Sequence, residues 1–149
     1  MEKILDETNL KILTILQKNA RTPVKKIAEE VCLSSPAVSA RITHMEETNL
    51  ISGYQVKINY QQFGYFIKAF INLEVDPKQK SEFYPYIKSI PNVIECNCVT
   101  GDFSMLIEVA FQKTEELDKF INELQKFGKT RTEMVFSTAV EHRNILPSD

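Results

Sequence analysis

The chain is poor in the residues that most often advertise chemistry: four glycines, two histidines and no tryptophan in 149 positions. No glycine-rich phosphate loop can be drawn from so few glycines. His44 and His142 lie far apart, and no His, Cys, Asp or Glu spacing reads as a metal-ligand set. Scattered acids such as Glu115 and Glu116 fit helix-end electrostatics better than acid–base catalysis. The expectation is a chain that is no enzyme, with no cofactor and no metal. No apolar run reaches the ~18 residues of a membrane span. The opening MEKILDETNL also lacks the apolar core of a secretory signal, so a cytoplasmic location is expected. Cys32, Cys96 and Cys98 are odd in number and imply reduced thiols rather than a disulfide framework. Cys96 and Cys98 are two apart in a strand-like run, on one face, and a buried or half-buried structural role is expected for them.

What is present is a folded composition, 26% charged with net charge −2, and one stretch that organises the rest. Thr22–Tyr54 reads as two short helices joined by a tight turn. Thr22-Pro23 offers an N-cap hydroxyl and a proline at the first helical position. Ile27, Ala28 and Val31 then share one stripe. Ser34-Ser35-Pro36 starts the next helix in the same way, with Val38, Ile42 and Met45 on one face. Pro36, Ala37, Ser39, Ala40, Thr43 and His44 are left outward or flanking. Small and polar residues there suit a helix that approaches a partner closely, and a helix-turn-helix in the DNA major groove is the leading reading. Charge agrees: Lys18, Arg21, Lys25, Lys26 and Arg41 face only Glu29 and Glu30 between Lys18 and His44, a local +3. So modest a patch binds weakly as a single copy, because each phosphate contact releases about one counterion. Paired subunits are therefore expected.

Before this pair, residues 6–18 form a helix capped by Asp6, with Asn9, Ile12, Leu13 and Leu16 facing inward. After it, Asn49 suits a left-handed helix end, and Tyr54–Ile58 alternates as a short strand. Asn59–Gly64 is a connector. From Tyr65 the pattern is β-α-β-β-α-β: strands over 66–75, 93–100, 103–111 and 130–141, with helices over 80–89 and from Thr114 to Gly128. Pro85 is placed in the first turn of its helix, Thr114 is read as the cap of the last one, and Gly101-Asp102 as a tight turn. Right-handed crossovers fold that order into a ferredoxin-like sandwich. Its open sheet face, with Phe70, Asn72, Glu74, Phe136 and Thr138, is half apolar and suggests a dimer interface. The fold class is thus α+β: a three-helix winged helix-turn-helix followed by a ferredoxin-like β-α-β-β-α-β sandwich. The domains are 1–58, a connector at 59–64, and an association domain at 65–149.

Placed together, these residues resemble the Lrp/AsnC (leucine-responsive, feast/famine) family of transcription regulators over essentially the whole chain. The matching pattern is Asp6-x-x-Asn9-x-x-Ile12-Leu13, Leu16-Gln17-x-Asn19-Ala20-Arg21, Ile27-Ala28-x-x-Val31-x-Leu33-Ser34, Val38-x-x-Arg41-Ile42, Met45-Glu46 and Ile51-x-Gly53-Tyr54. The resemblance implies double-stranded DNA as partner, an amino acid or similar metabolite as effector, and self-association as a dimer and octamer. DNA-binding candidates are Thr22, Lys25, Lys26, Ser34, Ser35, Pro36, Ala37, Ser39, Ala40, Arg41 and His44. Arg41 with Lys25 or Lys26 would hold phosphates, and Ser35, Ser39, Ala40 and His44 would lie near base edges. Effector candidates, from the resemblance, are Thr100, Gly101, Asp102, Phe103, Ser104 and Thr138. Three positions depart from the family pattern: Cys32 replaces the turn glycine, Asn49 replaces a glycine near the third helix's end, and Ser104 stands where an aspartate is frequent. That last change removes a natural partner for an amino-acid ammonium group. Two alternatives stay open: an effector-independent architectural DNA protein, and an amino-acid-sensing regulatory subunit of an enzyme.

Overall fold

A computed structural model describes residues 5–145. They form two compact units, one made of the N-terminal helices to Lys57 together with the segment from His142, the other Ile58–Glu141.

The first unit holds α1 (Glu7–Lys18), α2 (Val24–Val31) and α3 (Ser35–Glu47). Each starts where the side chains dictate. Asp6 caps α1, its carboxylate accepting the Asn9 N–H at 2.7 Å. Ser34 caps α3 by accepting the Ala37 N–H at 3.3 Å. The start of α2 differs from the sequence reading: Pro23 itself is the cap residue, without a side-chain bond. The Thr22 hydroxyl instead donates back to the Asn19 carbonyl at 2.7 Å, tying the α1–α2 turn. Cys32 adopts φ 56° and Asn49 φ 58°, the two left-handed helix ends anticipated where the family pattern has glycine. At Cys32 this conformation costs about 1 kcal/mol. Ile12, Ile27, Ala28, Val38 and Met45 form the buried core, so each helix contributes the face its periodicity marks.

Residues 54–58 form no strand. Their alternation is genuine, but a strand needs a backbone ladder, and the ladders of the sheet join only β1, β2, β3 and β4. Val56 stays 82% exposed. Among the described residues the helix-turn-helix is therefore followed by no wing strand.

The second unit is a four-stranded antiparallel sheet, β1 (Ile67–Val75), β2 (Val93–Cys98), β3 (Met105–Phe111) and β4 (Gly128–Met134), in the order β2-β3-β1-β4. With α4 (Lys80–Ser89) and α5 (Thr114–Leu124) this is the ferredoxin-like arrangement. Ala69, Ile71, Leu73 and Val75 of β1 and Met105, Ile107 and Val109 of β3 pack with Phe83 and Ile87 of α4 and Leu117, Phe120 and Leu124 of α5. Both helices thus cover one sheet face.

Several boundaries move. Pro85 lies inside α4 rather than in its first turn; it sits on the exposed side of the helix. Lys113 rather than Thr114 caps α5, with the Glu116 carboxylate accepting the Lys113 N–H at 3.3 Å. α5 ends at Leu124, and Gly128 opens β4. β4 stops at Met134, one residue before a last bond from Val135 N–H to Lys68 O at 2.8 Å. The β1–β4 ladder ends with Met134 opposite Ala69, so Phe136 and Thr138 lie beyond β4. Cys96 is half-buried as expected, whereas Cys98 is exposed; Cys32 is exposed as well.

Candidate nucleic-acid interface and the Gly101 loop

Periodicity buries Val38 and Met45 and turns the opposite side of α3 to solvent. Ser34, Pro36, Ser39, Ala40 and His44 are exposed; Ser35 and Ala37 are half-buried at the helix start. Lys25 and Lys26, in the first turn of α2, are exposed as well, and Thr22 is half-buried just before them. Nearly all the predicted residues therefore lie on or flank the two helices, and the short outward side chains of α3 leave its backbone open to close approach.

Arg41 is the exception. Its Nη1 donates to Asp6 Oδ2 at 2.6 Å and to Asn9 Oδ1 at 2.9 Å. That nitrogen is committed to the start of α1, so Arg41 is a clamp between α3 and α1 before it is anything else. Asp6 answers electrostatically: the Asn9 N–H, and then the guanidinium, hold its carboxyl below the usual carboxylate range. The sequence carries a signal for this clamp in Asn9, a polar residue on an otherwise apolar face that is 5% exposed. At the other end of the unit, Tyr54 Oη donates to Glu46 Oε1 at 2.7 Å. Desolvation and then that carboxylate push the phenol up to about 12.

In the second unit, β2 and β3 form the expected hairpin, but its connection spans residues 99–104 rather than a two-residue turn. The Val99 N–H donates to Ser104 O at 3.0 Å and closes it, and Gly101 sits at φ +114°. Thr100, Gly101 and Asp102 are exposed, while Phe103 and Ser104 are half-buried. The Ser104 hydroxyl is tied to β1: Oγ accepts the Val75 N–H at 2.9 Å and donates to Leu73 O at 3.3 Å. Phe103 lies under the Arg131 guanidinium, 5.2 Å from the ring centroid. Nothing in the sequence marks Arg131 as a loop neighbour, because only strand register brings β4 beside the loop. Thr138 is exposed and belongs to no strand, so no shared element joins it to the loop residues. Among the described residues no cluster of three His, Cys, Asp or Glu could hold a metal.

Three short helices with a capped, small-residue outer helix, followed by this sheet, define a helix-turn-helix regulator with an appended ferredoxin-like domain. The chain belongs to the Lrp/AsnC family: residues 5–46 match the AsnC-type helix-turn-helix domain and residues 68–145 the Lrp/AsnC ligand binding domain. The HTH-type transcriptional regulator LrpA of Bacillus subtilis is 32% identical over 133 residues, spanning 89% of this chain and 98% of that protein. The proline dehydrogenase transcriptional activator of Rhodobacter capsulatus is 34% identical over 126 residues, spanning 83% and 82%. Among solved structures, E. coli AsnC superposes with TM-score 0.86 at 26% identity, covering 96% of this chain and 99% of its own. A feast or famine regulatory protein from M. tuberculosis, solved with L-methionine, gives TM-score 0.88 at 23% identity, covering 96% and 99%; at that identity the likeness is one of fold.

Proposed function

We propose that the chain is a sequence-specific transcription regulator that binds DNA as pairs of helix-turn-helix units and answers to an amino acid. The observation that carries the DNA reading is the exposed face of α3, Ser34, Pro36, Ser39, Ala40 and His44, beside the exposed Lys25 and Lys26. Serine and histidine reach base edges, lysine reaches phosphates, and proline and alanine let the helix sit close to the groove floor. Two lysines per copy supply little affinity alone, which is the physical case for pairing. Phe66, 70% exposed, and Phe136, fully exposed, supply apolar surface that a second copy would cover, as a dimer and in turn an octamer.

The effector reading places an amino acid at residues 100–104, its carboxylate on backbone N–H groups of the Gly101 loop. Two proteins of this fold, each 23% identical, were solved with L-methionine, which supports an amino acid as the class of effector. One observation favours a second reading, an architectural DNA protein with no effector: the Ser104 hydroxyl is spent on β1 and offers no carboxylate to an ammonium group.

A fluorescence-anisotropy titration on the DNA upstream of its own coding region, against random duplex at physiological salt, tests the first reading; equal affinities overturn it. Thermal melting with each of the twenty amino acids tests the effector. A ligand of the native state must raise the melting temperature, and uniform silence favours the architectural reading.

A further inference from the structure

α3 presents one row of side chains squarely to solvent. Val38 and Met45 are fully buried, and at about 100° per residue the direction opposite them falls to Pro36, Ala40, Thr43 and Glu47. All four are exposed, with Ser39 and His44 flanking the row on either side. The row is polarised along the helix: Pro36 and Ala40 are small and apolar, Thr43 offers a methyl and a hydroxyl, and Glu47 ends it with a carboxylate.

Glu47 has no structural reason to be acidic. The neighbouring Glu46 is taken up by Tyr54, whose Oη donates to it at 2.7 Å. Among the described residues the Glu47 carboxylate has no hydrogen bond or ion pair. Glu47 is the last residue of α3, where the helix dipole is negative and a carboxylate is disfavoured.

We propose that α3 enters the major groove N-terminus first, with Thr43 as its last base-reading residue and Glu47 as a repulsive stop against the phosphate backbone. That pose presupposes the DNA reading of the chain. Pro36 and Glu47 stand about three turns apart, roughly 16 Å along the axis. A straight helix of that length cannot hold both ends of the row on the floor of a groove that curves around the duplex. Phosphates repel Glu47 and attract the positive N-terminus of α3, so the Pro36 end goes in. Thr43 then suits a thymine-containing step, its methyl against the thymine methyl and its hydroxyl on either kind of base edge.

Glu47 acts on every sequence, but unequally. A like charge about 7 Å from a phosphate weakens binding about threefold even at the dielectric of water. Random duplex, held by its phosphates, feels that in full. The preferred sequence fixes α3 in the tipped pose, with Glu47 withdrawn, and feels less. Glu47 thereby widens the gap between preferred and random DNA.

The test uses the full chain, a duplex enriched from a randomised pool by binding to it, and the unselected pool, compared by fluorescence anisotropy at several salt concentrations. Glu47→Gln should bind the unselected pool about threefold more tightly and gain less on the enriched duplex. Glu47→Lys should add about 0.9 to the salt slope on the unselected pool, the mark of a new phosphate contact. Thr43→Ala should cut the preference for the enriched duplex by about fivefold to a hundredfold without changing the salt slope. Thr43→Val, which keeps the methyl, should lose less. Circular dichroism shows that these exposed-site variants are folded. If wild type binds both DNAs alike, the DNA reading falls and this pose with it. If wild type discriminates, the pose alone is overturned by any of three results. Glu47→Gln weakens the enriched duplex, which makes Glu47 a base reader; Glu47→Gln leaves both affinities unchanged; or Thr43→Ala leaves the preference intact.

Discussion

Arg41 reaches across to Asp6 with an Nη1–Oδ2 distance of 2.6 Å, and Asp6 is at the same time the N-cap of α1. One carboxylate therefore both starts the first helix and holds the outer helix in place. Asp6→Ala removes cap and ion pair together and should cost about 1–2 kcal/mol, against about 0.5–1 for Arg41→Ala. The carboxyl titrates below its ordinary 3.8 in the folded chain, so its contribution is present above that value and is lost as pH falls through the lower folded one. Thermal melts of both variants and the double variant, taken between pH 2 and 7, check this. Purely additive losses would show that the two residues do not act on each other.

Tyr54 carries the opposite sign. Its phenol is raised from 10.0 to about 12 beside Glu46. The raised group favours the folded state below the unfolded value, and that stability disappears as pH climbs from 10 towards 12. An alkaline absorbance titration should show, beside the raised phenols of Tyr84 and Tyr86, a phenol near 12 that is missing in Tyr54→Phe and titrates earlier in Glu46→Gln. An unchanged late phenol in Glu46→Gln contradicts the assignment.

Much of this architecture can be read directly from residue spacing. Leu117, Phe120 and Leu124 recur at helical intervals, and Ala69, Ile71, Leu73 and Val75 at strand intervals, so burial follows from local pattern alone. Asp6, Ser34 and Asn49 announce helix ends through side-chain chemistry that acts within three or four residues. What spacing does not show depends on distant partners. Tyr54–Ile58 alternates like a strand but joins no ladder of the sheet, and β4 ends at Met134 opposite Ala69, which removes Thr138 from the sheet. Sequence points Arg41 at phosphate because it shows the residue's place on α3 and not the carboxylate that α1 brings to it. Arg131 over Phe103 is of the same kind.

Gly128 is a glycine whose role is steric. It sits at φ +156°, and a Cβ there would lie 1.8 Å from the Glu74 carbonyl oxygen, so the backbone of β1 would have to move. Gly128→Ala should cost about 2–3 kcal/mol or more, read as a lower urea midpoint. Gly53, where a Cβ would meet nothing within 4 Å, is the control for close packing. Equal losses at both sites would mean that backbone conformation, not the Glu74 contact, sets the cost.

Ser104 is expected to matter for folding before ligand. Ser104→Ala leaves the Val75 N–H without its 2.9 Å acceptor and should cost about 1–3 kcal/mol. Ser104→Asp places a carboxylate at the loop. If the ammonium-partner argument is right, amino acids that leave the wild type's melting temperature unchanged should raise that of this variant. A silent Ser104→Asp variant that still folds argues against an ammonium site at this position.

The DNA face separates into positioning and reading. Lys25→Ala and Lys26→Ala should weaken all duplexes alike and lower the salt dependence by about 0.9 per lost phosphate contact. Ser39→Ala and His44→Ala should instead compress the gap between preferred and random sequence, by about 1–3 kcal/mol where a base contact is lost. Arg41→Ala should follow neither pattern. Because its Nη1 is bound to Asp6 and Asn9, its loss should loosen α3 and reduce affinity in step with the lost stability of the helical unit. Restoring that stability with a stabilising osmolyte should then recover binding. If affinity stays low while the unit is fully folded, Arg41 is itself a DNA contact.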